Sequence, residues 1–495
     1  MCHNRMNPIH FFCDMRIKFK SFRALVLTPL VFARLLSPAL AQDVSIPDPD
    51  LNAAIRDALQ KPDGPLTELD LLSLTNLDAC CRNIGSVAGL EAAHNLTELD
   101  LQSNHLANLS FPNGLTQLNF LDLSFNPLTR LALPEDMTNL TSLELFSDRL
   151  TNLTLPAELT HLIGIDLENN QLSSLDLPSN LTRLDFLILA ENQLTNLALP
   201  AGLTRLTELD LWGNQLTRLA LPEDMTNLIG LPLFFNQLTN LTLPANLKTL
   251  GTLDLAGNRF TSFDLPSSLT RLGFLDLGGN QLTRFTLPES MTNLNFLYLD
   301  RNQLTNVTLP VGMTNLSFLQ LASNQLSSLN LPEGLTRLTF LELGGNQLTN
   351  LTLSADLWKL AQLDLRNNQL TNLTLPDGLT NLSVLVLDGN PISTLVLSEP
   401  LAAAKLAGTV AALRNQGVSV FTYPRVVGLT SPRRTAAGAF ELTLTGLPGI
   451  YEILGSVDLT TWSELGAVTN QLGSVIFRDT EANNAGLKFY RLRAP

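Results

Sequence analysis

The chain has 495 residues and a formal net charge of −14, with 15% charged and 45% hydrophobic side chains. So acidic a balance argues against a nucleic-acid partner, because phosphate binding needs a concentrated positive surface. Of its four cysteines only the adjacent Cys80 and Cys81 lie beyond residue 41, which argues against a disulfide framework.

In chain order, the first feature is an export signal. Arg16, Lys18, Lys20 and Arg23 precede an apolar stretch from Ala24 to Ala33, and Ala39-Leu40-Ala41 offers a small-residue cleavage site before Gln42. Residues 1–41 therefore read as a signal peptide that starts at Met15. The apolar run, ended by Arg34, is far too short to span a membrane, and no cysteine follows the cleavage site to carry a lipid. Only Cys80 and Cys81 remain beyond it. Adjacent cysteines can pair only through a strained ring, so they read as two thiols in a cap, with a redox pair as the alternative.

Residues 42–95 read as that cap. Asp50 to Leu59 carries apolar residues at helical spacing, an irregular first coil follows at Leu66-Thr67-Glu68-Leu69-Asp70-Leu71, and Gly89-Leu90-Glu91-Ala92-Ala93 closes it. From 96 to 398 a 22-residue unit recurs fourteen times, marked by Asn104, Asn126, Asp148, Asn170 and so on to Asn390. One copy runs Leu206, Leu209, Leu211, Asn214, Leu216, Leu219, Leu221, Pro222 and Met225. Leu209 and Leu211 sit two apart, which is strand periodicity with both side chains inward. The Asn that follows can donate and accept, so stacked copies predict a ladder tying turn backbone in neighbouring coils. Asp148 breaks that ladder, since a carboxylate only accepts. The second Leu-x-Leu, stopped from becoming a helix by its proline, predicts a short extended segment on the opposite side. One unit cannot offset its own ordering entropy, so copies must stack and both ends need caps.

The unit resembles leucine-rich repeats, and the cap resembles that of secreted internalin-like bacterial proteins. The resemblance implies an α/β-type solenoid: a right-handed superhelix with a parallel concave β-sheet and few helices. Residues 399–424 read as the carboxy-terminal cap, with Pro400 to Asn415 helical and Val418 to Tyr423 a closing strand. Residues 425–437 read as a linker, and 438–495 alternate like a small all-β module. The run Gly455 to Trp462 and the ending Phe489-Tyr490-Arg491-Leu492 resemble a terminal module of secreted proteins from environmental bacteria.

Candidate chemistry lies where the repeats differ, at the third, fifth and seventh positions, which alternate with the buried leucines and face the concave side. The fifth carries Asp100, Asp122, Glu144, Asp166, Asp210, Asp254 and Asp276. That column either attracts Lys, Arg or a divalent cation, or is merely the Leu-Asp-Leu this repeat commonly writes. Phe274, Phe296, Phe318 and Phe340 form an aromatic column at the third position, read either as an interaction surface or as a stack whose rings cover one another. A second patch holds Phe186, Trp212, Phe234 and Phe235 beside Pro232, which removes a ladder donor. No zinc-protease, paired Cys-x-x-Cys, Walker or nucleophile-elbow motif occurs. These features predict a non-enzymatic secreted or cell-surface protein that needs no cofactor and holds a protein or peptide with basic groups on its concave face. Carbohydrate stacked on the aromatics, Tyr298 included, is the alternative, and a structural or adhesion spacer a third. The chain is not expected to span a membrane or bind nucleic acid, and its oligomeric state stays open.

Overall fold

The computed structural model describes residues 42–436, 438–482 and 488–493; the expected signal peptide, 1–41, lies outside them. The first element is the helix Pro49–Leu59. Asp48 caps it, one carboxylate oxygen accepting from the N–H groups of Asp50 and Leu51 at 3.0 Å. The other oxygen accepts from Gly85 at 2.8 Å and Ser86 at 3.1 Å, pinning the helix to the coil that follows. Leu66 to Leu71, read as an irregular coil, instead enters the short helix Glu68–Leu72, because Thr67 and Asp70 form a reciprocal capping box.

The first strand is Asn76–Asp78, which lies parallel to Glu98–Asp100 in the register of a 22-residue repeat. It opens a 15-stranded sheet that runs to Val384–Val386 with every strand beside its sequence neighbour of the same row. The inward leucines of each coil are almost wholly removed from water: Leu206, Leu209, Leu211, Leu216 and Met225 are 0% exposed. At about 2 kcal/mol for each buried side chain, shared burial between coils is the main stabilising term. The second Leu-x-Leu forms short strands on the opposite side. Examples are Arg218–Ala220 with Asn240–Thr242 and Arg284–Thr286 with Asn306–Thr308.

The asparagine ladder is present. Asn214 donates through Nδ2 to the carbonyls of Leu211 (3.1 Å) in its own coil and Leu189 (2.9 Å) in the preceding one. Its Oδ1 accepts from the N–H of Leu194 at 3.0 Å. The next rung, Asn236, also reaches the Leu211 carbonyl, at 2.9 Å, so that oxygen accepts from two amides. At Asp148 only Oδ1 is used, accepting from Asn126 N at 2.7 Å, while Oδ2 is buried with no partner. Burial pushes this carboxyl up to about 8.

A second regularity lies one residue before each rung. From Cys81, Ser103 and Phe125 through Phe235 to Asn367 and Gly389, every residue at this position has positive φ. The left-handed conformation is free for glycine and costs other residues about 1–2 kcal/mol, yet glycine holds it only at 213, 257, 279, 345 and 389.

At the far end the helices Glu399–Ala403 and Ala407–Asn415 lead into the strand Ser419–Tyr423, which pairs with Thr394–Ser398. Tyr423 is fully buried and its hydroxyl donates to the Leu375 carbonyl at 2.7 Å, closing the last coil. The stretch read as a linker holds a strand, Gly428–Arg434, which pairs antiparallel with Phe440–Thr445. Two three-stranded antiparallel sheets follow, packed on Leu444, Tyr451, Ile453 and Phe477. Glu441, 2% exposed, sits between Arg433 and Arg478. No helix among the described residues is long and apolar enough to cross a membrane.

Candidate functional site

The expected columns are columns in space. Strand pairing aligns Asp78, Asp100, Asp122, Glu144 and Asp166 in one row, and Phe274, Phe296, Phe318 and Phe340 in another. Asp78 lengthens the acidic row by a coil. Its signal was available: Leu74 and Leu77 stand 22 residues before Leu96 and Leu99.

The carboxylates do more than face solvent. Asp100, Asp122, Asp210, Asp254 and Asp276 each accept through Oδ1 from the backbone N–H two residues on, at 2.7–3.2 Å. Each thereby ties off the turn that leaves its strand. Asp166 does the same for Glu168 at 2.9 Å. Glu144 accepts instead from the Ser142 hydroxyl at 2.6 Å. Burial, aided by Asp166 and Asp122, pushes Glu144 up to about 7. Burial likewise raises Asp100 and Asp122, and it holds Asp210 well above the usual carboxylate range. Asp254 and Asp276 are buried, 4% and 9% exposed, and offer little surface to a partner. Among the described residues no cluster of three or more His, Cys, Asp or Glu is placed to hold a metal ion.

The phenylalanine column is a continuous row of rings, tilted by 46° and 33° at its first two contacts and stacked at the last. Ring centroids are 6.3 Å apart for Phe274 and Phe296, 5.4 Å for Phe296 and Phe318, and 5.1 Å for Phe318 and Phe340. Tyr298 lies 5.6 Å from Phe274. All are half-buried, the rings taking much of one another's faces. In the second patch Trp212 and Phe234 stack at 5.0 Å and 6°, and Phe235 meets Phe234 edge-on at 5.4 Å. Phe234 is buried and Phe235 is 59% exposed, on the turn rather than the strand. Phe186 lies over Gly164, where a Cβ would stand 1.8 Å from its Cζ. Pro232 leaves its strand a single register pair with Glu208–Asp210, against three between most neighbours. A third aromatic pair, Phe125 and Phe146 at 5.0 Å, was not foreseen, since each falls outside the Phe column.

Residues 94–135 and 182–223 match the family described as Leucine Rich repeats (2 copies), and residues 277–392 match the BspA type Leucine rich repeat region (6 copies). The fold is that of a leucine-rich-repeat solenoid. The functional domain of InlJ from Listeria monocytogenes, which includes a cysteine ladder, shares this fold with a TM-score of 0.53 at 21% identity, over 81% of this chain and 94% of that one. An internalin, InlF, from the same organism matches at 26% identity and TM-score 0.46, covering 76% and 94%. YopM from Yersinia pestis matches at 24% identity and TM-score 0.47, covering 69% and 88%. A comparison with curated proteins gives no match.

Proposed function

We propose that this solenoid is a non-enzymatic, exported binding protein, released or held at the cell surface, that recognises a protein or peptide with basic groups on the concave face of its long sheet. The observation that carries the reading is the in-register acidic row, half-buried from Asp100 to Asp166, where lowered solvent screening strengthens attraction for Lys and Arg. A sugar-stacking role has less support, because the phenylalanine rings are half-buried against one another. Binding of a basic partner is expected to weaken as salt rises, and to weaken as pH falls from 8 to 6. The sign follows from Glu144, whose anion attracts and whose proton, gained near 7, removes the charge. Titrating the full chain with Lys/Arg-rich peptides and with a glycan panel by calorimetry at both pH values tests this. Peptide binding with that dependence supports the reading, and glycan binding indifferent to salt and pH refutes it.

A further inference from the structure

The residue just before each strand of the long sheet commonly stitches two coils together. At Thr141, Thr207, Ser317, Thr339 and Ser383 its hydroxyl donates at 2.8–3.2 Å to the main-chain carbonyl 22 residues earlier. Ile229 holds this position with a side chain that cannot donate and stands 59% exposed; Ile163, the other isoleucine of the row, is half-buried. Ile229 therefore gives up the stitch and gains no burial, a departure from the local pattern that neither coil stacking nor the core accounts for. Beyond it the row passes to Gly251 and Gly273. Neither has positive φ, and a Cβ would meet nothing nearer than 3.7 Å at the first and 3.8 Å at the second. The backbone does not require glycine there; the effect of the two is to leave the space beside Ile229 open.

A cavity of about 610 Å³ occupies this stretch of the rim, within the ~300–1,000 Å³ of small-ligand sites. Two rows line it. Asp185, Thr207 and Ile229 come from the row just described, and Arg205, Asn227, Thr249 and Arg271 from the row three residues before each strand. Most of these polar groups are engaged. Arg205 meets both oxygens of Asp185, at 2.9 and 3.2 Å. The Thr207 and Thr249 hydroxyls donate to main-chain carbonyls, and Asn227 donates through Nδ2 to Thr204 at 2.7 Å. Asn227 keeps its Oδ1 as an acceptor. Arg271 is exposed and enters no ion pair with a described residue. With Arg205 and Asp185 cancelling, Arg271 sets the charge of the cavity, and a guanidinium fork matches a carboxylate. The Asn227 Oδ1 suits a peptide N–H, and Ile229 an apolar side chain.

We propose that this cavity is a binding site for a short acidic peptide segment, with an apolar side chain seated on Ile229 and a side-chain carboxylate, two residues away, in the fork of Arg271. Ile229 and Arg271 belong to coils two apart, roughly 10 Å at ~4.8 Å per strand. Side chains at i and i+2 of an extended segment share a face about 7 Å apart, and the arginine stem spans the rest. The site lies on the rim where the strands begin, away from the acidic row, and stands independently of the reading of that row.

Fluorescence anisotropy on the full chain tests the site with a labelled, amidated peptide, Ser-Leu-Ser-Glu-Ser, beside its counterpart with Gln in place of Glu. The acidic probe is expected to bind at least ~10-fold tighter than the neutral one. Arg271→Gln and Ile229→Thr are each expected to weaken it at least ~10-fold. Ile229→Thr writes the hydroxyl of its row back and so does not lower the melting temperature. Arg284→Gln, which removes an exposed charge from a strand on the opposite side, leaves binding unchanged. Equal affinity for the two peptides, or equal losses in the Arg271 and Arg284 variants, overturns the site. Parental affinity in Ile229→Thr overturns it too, and displacement of the probe by inorganic phosphate then identifies a simple anion site. Absence of binding at about 1 mM probe overturns it outright and leaves the concave face to its own titrations with basic peptides.

Discussion

An Asn258→Ala chain is expected to lose roughly 3 kcal/mol of stability. The rung at Asn258 holds four backbone groups inside the solenoid, one of them the Ala256 carbonyl at 3.4 Å. Its Nδ2 donates to Leu233 at 2.9 Å and to Leu255 at 3.0 Å, and its Oδ1 accepts from Leu238 N at 2.9 Å. The two leucine carbonyls keep a second donor after the change, from Asn236 and Asn280 respectively. The Leu238 N–H does not, and a buried donor without a partner costs about 1–3 kcal/mol by itself. Urea unfolding followed by circular dichroism measures the effect as a lower midpoint with unchanged slope. A shift worth under about 0.5 kcal/mol, the range of ordinary surface changes, would show that the ladder is ornamental to stability.

The second large effect runs the other way. Asp148→Asn restores a rung, so Nδ2 can again supply the donor that the buried Oδ2 lacks. The gain depends on pH. With its carboxyl near 8 in the folded chain and about 3.9 when unfolded, Asp148 binds a proton in the native state across that interval while the unfolded chain has released its own. Stability of the parent therefore falls as pH rises from about 4 through about 8, and is flat beyond. At pH 9 the Asn variant is expected to be more stable by several kcal/mol, on the order of 5 kcal/mol if the whole interval between the two pKa values is lost, and near pH 4 the two should be equal. Thermal melts of both chains from pH 4 to pH 9 read the difference directly; parallel curves would mean that the buried oxygen is satisfied in some other way.

Much of this solenoid is written in its leucines. Period, strand positions, the inward and outward faces, the rungs and their break at Asp148 follow from where Leu and Asn recur, because burial tolerates few substitutes at those places. The first coil escaped because Ala79 and Arg82 replace the leucine and asparagine of the unit, although Leu74 and Leu77 keep its spacing. The left-handed turn escaped for a different reason. Its φ is imposed by the bend between strand and rung, whatever side chain stands there, so glycine marks only five copies and Phe125 and Phe235 look like any exposed apolar residue. The role of the acidic row was half legible: its alignment follows from the period, whereas the bonds from Asp100 or Asp210 to the N–H two residues on depend on how the chain leaves the strand. A further row, Asn139, Asn227, Asn293 and Asn381, donates to carbonyls 23 residues earlier and stitches the opposite edge. In the sequence these residues are indistinguishable from the polar filler of Leu-Thr-Asn.

The rungs join each coil only to its immediate neighbours, and that connectivity sets how the protein meets a mechanical load. Pulled from its two ends, an array whose coils are tied chiefly to their neighbours yields one coil after another instead of in a single rupture. Each coil of 22 residues releases roughly 75 Å of slack at ~3.4 Å per residue. A chain tethered at a surface and gripping a moving partner would pay out length in uniform steps, dissipating a tug that would otherwise break its hold. Single-molecule pulling should register a sawtooth of that spacing, with the lowest force, in alkaline buffer, at the coil where Asp148 leaves its rung unfinished.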